Sequence, residues 1–413
     1  MKDVTPNPAI PSIGLGLVIL LALLTALDAM AIDMYLPGMP AIAGDFGVSD
    51  GRIQQTLAIF LAGLAVGQGH YGPILDRFGR RQPLLVGLII FVAGSCLAAT
   101  ATSVEWLMVA RFLQAIGAAA GLVAPRAIVA DRCSLAESAR VYSLLMQVMM
   151  IAPIAAPLLG GWVLAHTSWR FIFWVLALLG GLGVIWSLVS LPDTLPTTQR
   201  VPLSIRNILI GYSRQIRRPV FMAYAIAGGF ILGSLFTYIS ASAFVFIQHF
   251  GLNATQFSYL FAVNSVALVI GGMISNQALA RGASPQAITL AGVSLHILAS
   301  LTLFLLIQMD NASLTAYCVL LGVAIGALGL VFGNLTALTM GDAGKQTGTA
   351  SALMGLLQYL MSAVVGYLAS FAPQGPGVLP LTLTLCGALA AMMTVLGMRW
   401  AEQRADGKIV MGR

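Results

Sequence analysis

The stretch Gly72-Pro-Ile-Leu-Asp-Arg-Phe-Gly-Arg-Arg-Gln-Pro83 is strongly charged and lies between two long apolar runs at 53–75 and 84–101. Its two glycines and two prolines predict a tight turn. A charge in hydrocarbon costs several kcal/mol, so this turn cannot lie inside a bilayer and must separate two membrane spans. Three arginines in so short a loop indicate the cytoplasmic face. The stretch therefore predicts a membrane protein and its orientation; its charged residues are Asp76, Arg77, Arg80 and Arg81.

The composition agrees with a membrane protein and excludes an ordinary soluble domain. Of the 413 residues, 59% are hydrophobic and 8% are charged, whereas soluble chains carry about 25% charged residues. The net charge of +7 does not indicate nucleic acid as a partner, because the basic residues are confined to loops between apolar runs. The cysteines have no metal or redox spacing and are interpreted as packing residues, so we expect no metal and no cofactor; they are Cys96, Cys133, Cys318 and Cys386.

Apolar stretches of about 20 residues cross a bilayer as helices, and about twelve are present. They predict an all-α membrane protein with twelve transmembrane helices in two pseudo-symmetric six-helix bundles. Its predicted parts are an N-terminal bundle at 1–190, a cytoplasmic linker at 191–220, a C-terminal bundle at 221–400 and a cytoplasmic tail at 401–413. The predicted spans are 13–36, 53–75, 84–101, 105–129, 141–164, 170–190, 221–246, 256–280, 285–308, 313–339, 348–371 and 377–399.

The charge distribution places both termini in the cytoplasm. The linker holds five arginines against the single acid Asp193, and the loops on the other side carry few basic residues. A faint repeat supports two related halves, because the run 272–277 after the eighth span resembles the run 72–77 after the second. Related halves are the usual construction of secondary transporters, whose substrate site lies between them. No nucleotide-binding loop of the Walker type occurs in the sequence.

Asp28, Asp33 and Arg111 are ionisable residues inside predicted spans, which makes them candidates for proton coupling. A carboxylate in hydrocarbon is favoured in its protonated form, so either acid is suited to carry a proton. The alternatives are a solvated helix-end residue or a fixed ion pair for Asp33, and a hydrogen bond to a neighbouring helix for Asp28. Arg111 needs a partner, and the available acids are Asp28, Asp33 and Glu105. We interpret Arg111 as a group that pairs with an acid in one conformation; the alternative is a permanent structural salt bridge.

Polar, aromatic and methionine side chains in the spans are candidates for a pocket that accepts varied apolar shapes. Plain packing is the alternative for each of them. The fifth span carries two prolines, Pro153 and Pro157, and two glycines, Gly160 and Gly161. The prolines predict a bent helix, and the glycines predict close contact with a neighbouring helix. The candidate substrate-binding residues are Tyr35, Gln114, Met146, Met150, Phe236, Tyr238, Asn334, Gln358 and Tyr359.

Several motifs together resemble the major facilitator superfamily. The loop 72–81 is similar to the signature loop between its second and third spans, with Ile74 and Leu75 in place of the usual Leu-Ala. The fifth-span motif resembles that of antiporters, although alanines replace its two earlier glycines. The bicyclomycin-resistance (Bcr/CflA) branch of twelve-span drug:proton antiporters is the most similar. Further motifs that carry the resemblance are 33–40, 111–117, 155–162, 169–174 and 348–352.

The resemblance implies alternating access by two rocking bundles. The loop and its neighbours would brace the gate on the cytoplasmic side, and the first-span acid and fourth-span arginine would couple protons to substrate. We therefore expect a monomeric, proton-driven exporter of small amphipathic compounds in a bacterial inner membrane, and not an enzyme. The alternatives are a proton-coupled importer of a nutrient such as a nucleoside, and a receptor or scaffold that transports nothing. The expected gating residues in the loop and beside it are Gly72, Asp76, Arg77, Gly79, Arg80, Arg81 and Asp131, and those in the fifth span are Pro153, Pro157, Gly160 and Gly161.

Overall fold

A computed structural model describes residues 14–133, 135–195, 198, 200, 205–344, 347–373 and 375–405. The predicted tail beyond 405 lies outside these residues. The described part contains fourteen α-helices and no strand, and twelve of its helices are long and apolar enough to cross a membrane. The helices are α1 Leu15–Asp33, α2 Met39–Phe46, α3 Asp50–Phe78, α4 Arg81–Ala99, α5 Val104–Arg132, α6 Leu135–His166, α7 Trp169–Ser190, α8 Ile205–Ile216, α9 Pro219–Ala243, α10 Ala254–Ala280, α11 Pro285–Gln308, α12 Leu314–Gly341, α13 Thr347–Ala369 and α14 Val378–Ala405.

The turn predicted at 72–83 is much shorter in the structure. Gly72 and Pro73 lie inside α3, which continues to Phe78, and the chain turns only at Gly79 and Arg80. A helix tolerates an interior proline at the loss of one backbone hydrogen bond, and here the surrounding helical sequence outweighs that loss. Gly79 has φ +88° and ψ 174°, a backbone conformation that essentially only glycine adopts. The glycine at the end of the helix therefore determines where the turn occurs.

Helices α1 to α7 pack mainly with one another, and α9 to α14 form a second bundle. The two bundles share the predicted repeat: α10 ends before Gly282, whose φ of +89° matches that of Gly79. We call the end of the molecule that holds the Gly79 turn and α8 the linker end, and the opposite end the distal end. A short 3-10 turn at Leu36–Gly38 and a π-helical segment at Phe244–His249 lie at the distal end.

Two helix pairs join the bundles, α3 with α13 and α6 with α10. In the first pair Gln55 Nε2 donates to Ser370 Oγ at 3.1 Å near the distal end. In the second pair Ser265 Oγ donates to the Pro153 carbonyl at 3.2 Å. A further hydrogen bond between the bundles, from Gln248 Nε2 to Asp50 Oδ1 at 3.1 Å, closes the distal end. The contact between α3 and α13 continues from the distal end towards the linker end, where Gly69 lies against Leu356 and Gly355 against Gln68.

Candidate functional site

Asp28 and Asp33 are the two carboxylates that α1 carries into the interior of the molecule. The residues are 5% and 3% exposed, and an Oδ1 atom of each has no hydrogen-bond partner among the described residues. Removing an ionised carboxylate from water without a partner costs several kcal/mol. Each side chain is therefore suited to hold a proton rather than to stay charged in every state of the protein.

Asp28 lies at the interface between the two bundles. Arg126 of α5 acts electrostatically on Asp28. Both of these charged groups also act on Tyr359 of α13, which belongs to the second bundle. Arg126 is exposed, and its carbonyl accepts a hydrogen bond from Tyr142 Oη at 2.8 Å. Within the described residues no acidic oxygen lies within 4.0 Å of the Arg126 guanidinium. Asp28 is thus affected by the charge of Arg126 without forming an ion pair with it.

Asp33 has different surroundings, because it is the last residue of α1 and lies nearer the distal end. Its carboxylate acts electrostatically on Tyr238 of α9, and the charge that acts on it is that of Asp28. The Tyr238 hydroxyl accepts a hydrogen bond from Asn264 Nδ2 at 3.0 Å, and its ring stacks on Phe261 with centroids 5.2 Å apart. Asp33 therefore has neutral groups and another acid around it, whereas Asp28 is affected by the positive charge of Arg126.

Arg111 does not pair with an acid in the described part of the structure, so the permanent salt bridge is absent in this conformation, and pairing in another conformation stays a prediction. Its Nη1 donates to the Ala31 carbonyl at 2.9 Å and to Gln114 Oε1 at 2.6 Å. Its guanidinium lies 4.1 Å from the Phe60 ring centroid and 4.8 Å from that of Tyr35. A flat guanidinium over an aromatic face gains electrostatic attraction without a counter-ion. Arg111, which is 0% exposed, is therefore held by rings and acceptors that tie α5 to α1.

Two predicted substrate residues belong to this Arg111 network and are fully buried. The Tyr35 hydroxyl is hydrogen-bonded to Thr56 Oγ1 at 2.8 Å, and Gln114 Nε2 donates to Ser95 Oγ at 2.8 Å. Asn334 is buried as well, where its Nδ2 donates to Ser275 Oγ at 2.8 Å and joins α12 to α10. The side chains of Tyr35, Gln114 and Asn334 are therefore hydrogen-bonded within the protein. This is what we expect if these residues serve packing rather than substrate binding.

Met146 and Met150 are the predicted pocket residues that the structure leaves accessible, with exposed fractions of 52% and 42%. At 100° per residue they lie on the same face of α6 as Pro153 and Gly161, which contact the second bundle at Ser265 and Ser258. On this face the two methionines lie nearer the linker end than the contact at Pro153.

The remaining predicted pocket residues lie on the second bundle. Phe236 and Tyr359 face each other with ring centroids 6.2 Å apart, and the side-chain amide of Gln358 contacts Gly228 of α9. Tyr359 and Gln358 are half-buried, whereas Phe236 and Tyr238 are buried. The aromatic pair and Tyr359's electrostatic link to Asp28 place this group next to the carboxylates, on the opposite wall of the interface.

A charge cluster at the linker end holds the Gly79 turn. Arg80 Nε donates to Asp131 Oδ2 at 2.8 Å, its Nη1 donates to Asp76 Oδ1 at 2.6 Å, and its backbone N–H donates to Asp193 Oδ1 at 2.9 Å. Asp193 also pairs with Arg200 at 2.8 Å. Burial lowers the pKa of Arg80, but the Asp131 and Asp76 carboxylates outweigh this and hold the pKa above its usual value. The cluster joins the ends of α3 and α5 to the segment that follows α7.

The other predicted gating residues are spread around this cluster and along α6. Arg77 is exposed, and Arg81 Nη2 donates to the Leu188 carbonyl at 2.7 Å. Gly160 packs against the backbone of Met34, where a Cβ atom would overlap it. Pro157 is buried in α6 between these contacts. Gly72 has open space on its Cα, so nothing in the structure requires glycine there.

We expect Gly79→Ala to destabilise the protein by about 2 kcal/mol or more, since alanine is strained in this backbone conformation. Its Cβ would also lie 2.7 Å from the Asp193 Cγ atom and push apart the cluster around Arg80. Thermal unfolding of the purified protein in detergent micelles measures the loss. The matched control is Gly72→Ala, inside the helix that Gly79 follows, where the new Cβ meets no atom within 4 Å. Equal melting temperatures for the two variants would contradict the assignment of the turn to Gly79.

Twelve membrane-spanning helices in two contacting bundles, with buried carboxylates where the bundles meet, define a multi-pass membrane transporter. Residues 21–366 match the Major Facilitator Superfamily, and the chain belongs to this family. This is a family of transporters and not of enzymes, and the match confirms the resemblance inferred from the motifs. Among the described residues no group of three His, Cys, Asp or Glu side chains is placed to hold a metal ion.

Similar proteins extend over nearly the whole chain. The uncharacterized MFS-type transporter YdgK of Bacillus subtilis (strain 168) is 34% identical over 393 residues, which are 93% of this chain and 94% of that protein. A bicyclomycin resistance protein homolog of Haemophilus influenzae (strain ATCC 51907 / DSM 11121 / KW20 / Rd) is 28% identical, covering 85% and 88% of the two chains. The solved D-xylose-proton symporter has the same fold, with a TM-score of 0.75 at 13% identity over 92% of this chain and 96% of that one.

Sequence reasoning missed two residues of the site, Arg126 and Asp193. Arg126 lies near the end of the predicted fourth span and was grouped with the loop charges, although α5 continues to Arg132. Its position in the helix six residues before that end was the available signal. Asp193 stood out as the single acid of an arginine-rich segment, but its carboxylate bonds to Arg80 across 113 residues of sequence.

Proposed function

We propose that this transporter exports small amphipathic compounds in exchange for protons. The observation that carries the proposal is the burial of Asp28 and Asp33 at the bundle interface with unpartnered carboxylate oxygens. Groups that cannot stay charged in one place are suited to bind a proton on one side of the membrane and release it on the other. The relative with a bicyclomycin resistance name supports a drug as substrate.

The arrangement of charges supports an order of events. We place the linker end in the cytoplasm because of the arginine distribution, and the hydrogen bond between Gln248 and Asp50 at the opposite end supports a state that faces the cytoplasm. Arg126 favours the ionised form of Asp28, so it promotes proton release on the open side. The substrate then enters against the ionised carboxylate. Opening of the distal end lets an external proton neutralise Asp28, which releases the substrate outward.

The proposed pocket suits compounds with apolar surface and at least one polar group. Met146 and Met150 offer flexible, polarisable contacts on one wall, and Phe236 and Tyr359 offer aromatic rings on the other. Asp28 and Arg126 supply opposite charges between them. One chain provides both bundles and therefore the complete interface, so we propose that it acts as a monomer in a bacterial inner membrane, with both termini cytoplasmic.

Everted membrane vesicles test the direction and the coupling. We expect a fluorescent amphipathic dye to accumulate in energised everted vesicles that contain the protein, because their acidified lumen corresponds to the cell exterior. An uncoupler that collapses the proton gradient should release the dye. Vesicles from cells without the protein provide the background.

Three results would contradict the proposal or part of it. Accumulation only in right-side-out vesicles would show import, the first alternative function. Absence of any flux in both orientations, across a panel of cationic, neutral and zwitterionic dyes, would favour a receptor or scaffold. Dye accumulation that survives the uncoupler would exclude proton coupling while leaving export intact.

A further inference from the structure

Helix α8 has two different faces, and one of them is attached to both bundles. On the attached face the Tyr212 hydroxyl donates to the Gly69 carbonyl of α3 at 3.2 Å. Gln215 Nε2 donates to the Ala343 carbonyl, just before α13, at 3.0 Å. Gly211 packs against Thr349 in the first turn of α13. The helix thus spans the line along which α3 and α13 meet.

The opposite face of α8 is basic and apolar together, and it has no partner in the described structure. At 100° per residue its members lie within about half of the helix circumference. Leu209 is 60% exposed, and no acidic oxygen among the described residues lies within 4.0 Å of the arginines on this face. The residues line one open groove and are Arg206, Leu209, Ile210, Ser213, Arg214 and Arg217.

The position of α8 along the helices places this face at the bilayer surface. Gly69, which Tyr212 contacts, lies nine residues before the end of α3 at Phe78, or about 14 Å along the helix axis. The charged end of α3 therefore extends beyond the level of α8. A short helix that alternates arginine with leucine and isoleucine at this level is typical of helices that lie in the headgroup region.

We propose that this outward face of α8 binds anionic phospholipid headgroups at the linker end. Arg206, Arg214 and Arg217 supply the charges for the phosphate groups, and Leu209 and Ile210 contact the adjoining acyl chains. Because the attached face of α8 bonds to both bundles, a bound headgroup layer holds the helix against α3 and α13. Anionic lipid would thereby stabilise the conformation that the structure shows, in which α8 bridges α3 and α13.

A fluorescent probe on α8 tests the binding in the full-length protein. The probe is attached at Ser213→Cys after the four native cysteines have been replaced by serine. In vesicles of phosphatidylcholine with phosphatidylglycerol we expect a blue-shifted probe that is protected from acrylamide, a water-soluble quencher. In phosphatidylcholine alone the protection should be lost. The phosphatidylglycerol content needed for half of the protection should rise about fivefold for each arginine removed.

The variant Arg206→Gln/Arg214→Gln is compared with Arg281→Gln/Arg399→Gln, which removes two exposed charges of the same kind elsewhere. Loss of protection in the first variant alone supports the proposal. Equal loss of protection in both variants would show that only the net charge matters, which contradicts a site on α8. Equal protection in vesicles of phosphatidylcholine alone would overturn the proposal. A probe shift caused by inorganic phosphate in detergent, without vesicles, would assign the face to free anions instead. Unchanged melting temperatures show that the variants remain folded.

Discussion

Asp28→Asn is expected to bring substrate-driven proton flux down to the background of protein-free liposomes. The amide keeps the size and the hydrogen-bonding shape of the carboxyl group but cannot take up or release a proton. Asp28 is the carboxylate that faces a cation, Arg126, from a position at the bundle interface. A carrier must be stable in both protonation states, and the guanidinium provides that stability for the ionised state.

Asp33→Asn is expected to have the smaller effect on proton flux. The described structure gives Asp33 a neighbouring carboxylate and Tyr238 but no cation that would stabilise its ionised form. We therefore expect it to stay protonated through the cycle and to act through hydrogen bonding. A pH-sensitive dye inside proteoliposomes, with a substrate gradient as the driving force, measures both variants.

The control for both carboxylates is Asp45→Asn, which removes an acid from an exposed ion pair with Arg170 at 2.7 Å. It should retain wild-type flux, because exposed pairs contribute little. Loss of flux in Asp33→Asn with retention in Asp28→Asn would exchange the roles of the two acids. Wild-type flux in the double variant Asp28→Asn/Asp33→Asn would refute proton transport by either.

Arg111→Lys is expected to destabilise the protein more than Arg111→Met does. Lysine keeps a buried charge but has no flat guanidinium to lie over Phe60 and Tyr35, and we expect the change to cost about 3 kcal/mol. Methionine removes the charge and keeps apolar volume against the rings, so its cost is limited to the two acceptors, the Ala31 carbonyl and Gln114 Oε1, that lose their donor. Thermal unfolding in detergent micelles gives the order of the three proteins.

The reverse order of stability would show that Arg111 is held as a point charge by an acid, as the sequence alone suggests. Arg170→Lys serves as the control, because the Arg170 guanidinium also lies over a ring, 4.2 Å from the Trp169 centroid, but is partly exposed. There the same substitution should change stability by less than about 1 kcal/mol. The comparison separates the effect of burial from that of the guanidinium shape.

The spans could be predicted from the sequence because a helix in hydrocarbon needs an uninterrupted apolar run, and the twelve runs are plain. The turn after α3 was predicted too long, because Gly72 and Pro73 look like turn residues until the surrounding helix is known. The carboxylates of α1 were identifiable, since an acid in a membrane span is rare and functional by default.

The partners of the charged groups could not be predicted from the sequence. Charge is visible in a sequence and suggests an acid as the partner of Arg111, whereas the aromatic rings around Arg111 come from α3, α7 and the turn after α1. Arg126 and Asp28 are separated by 98 positions and meet only through the packing of α1 on α5. Asp193 reaches Arg80 in the same way. Such pairings depend on how helices pack, which the local pattern of residues does not encode.

Small side chains line the surfaces where the two bundles touch. Gly366 lies against Ala58 on one pair of helices, and Gly161 lies against Ser258 on the other. Helix surfaces lined by small side chains can shift relative to one another without large side chains having to repack. The energetic barrier to reorientation then falls mainly on a few polar contacts such as Asp50–Gln248 and Gln55–Ser370. Each bundle can thus move as a rigid body while its own interior packing stays intact.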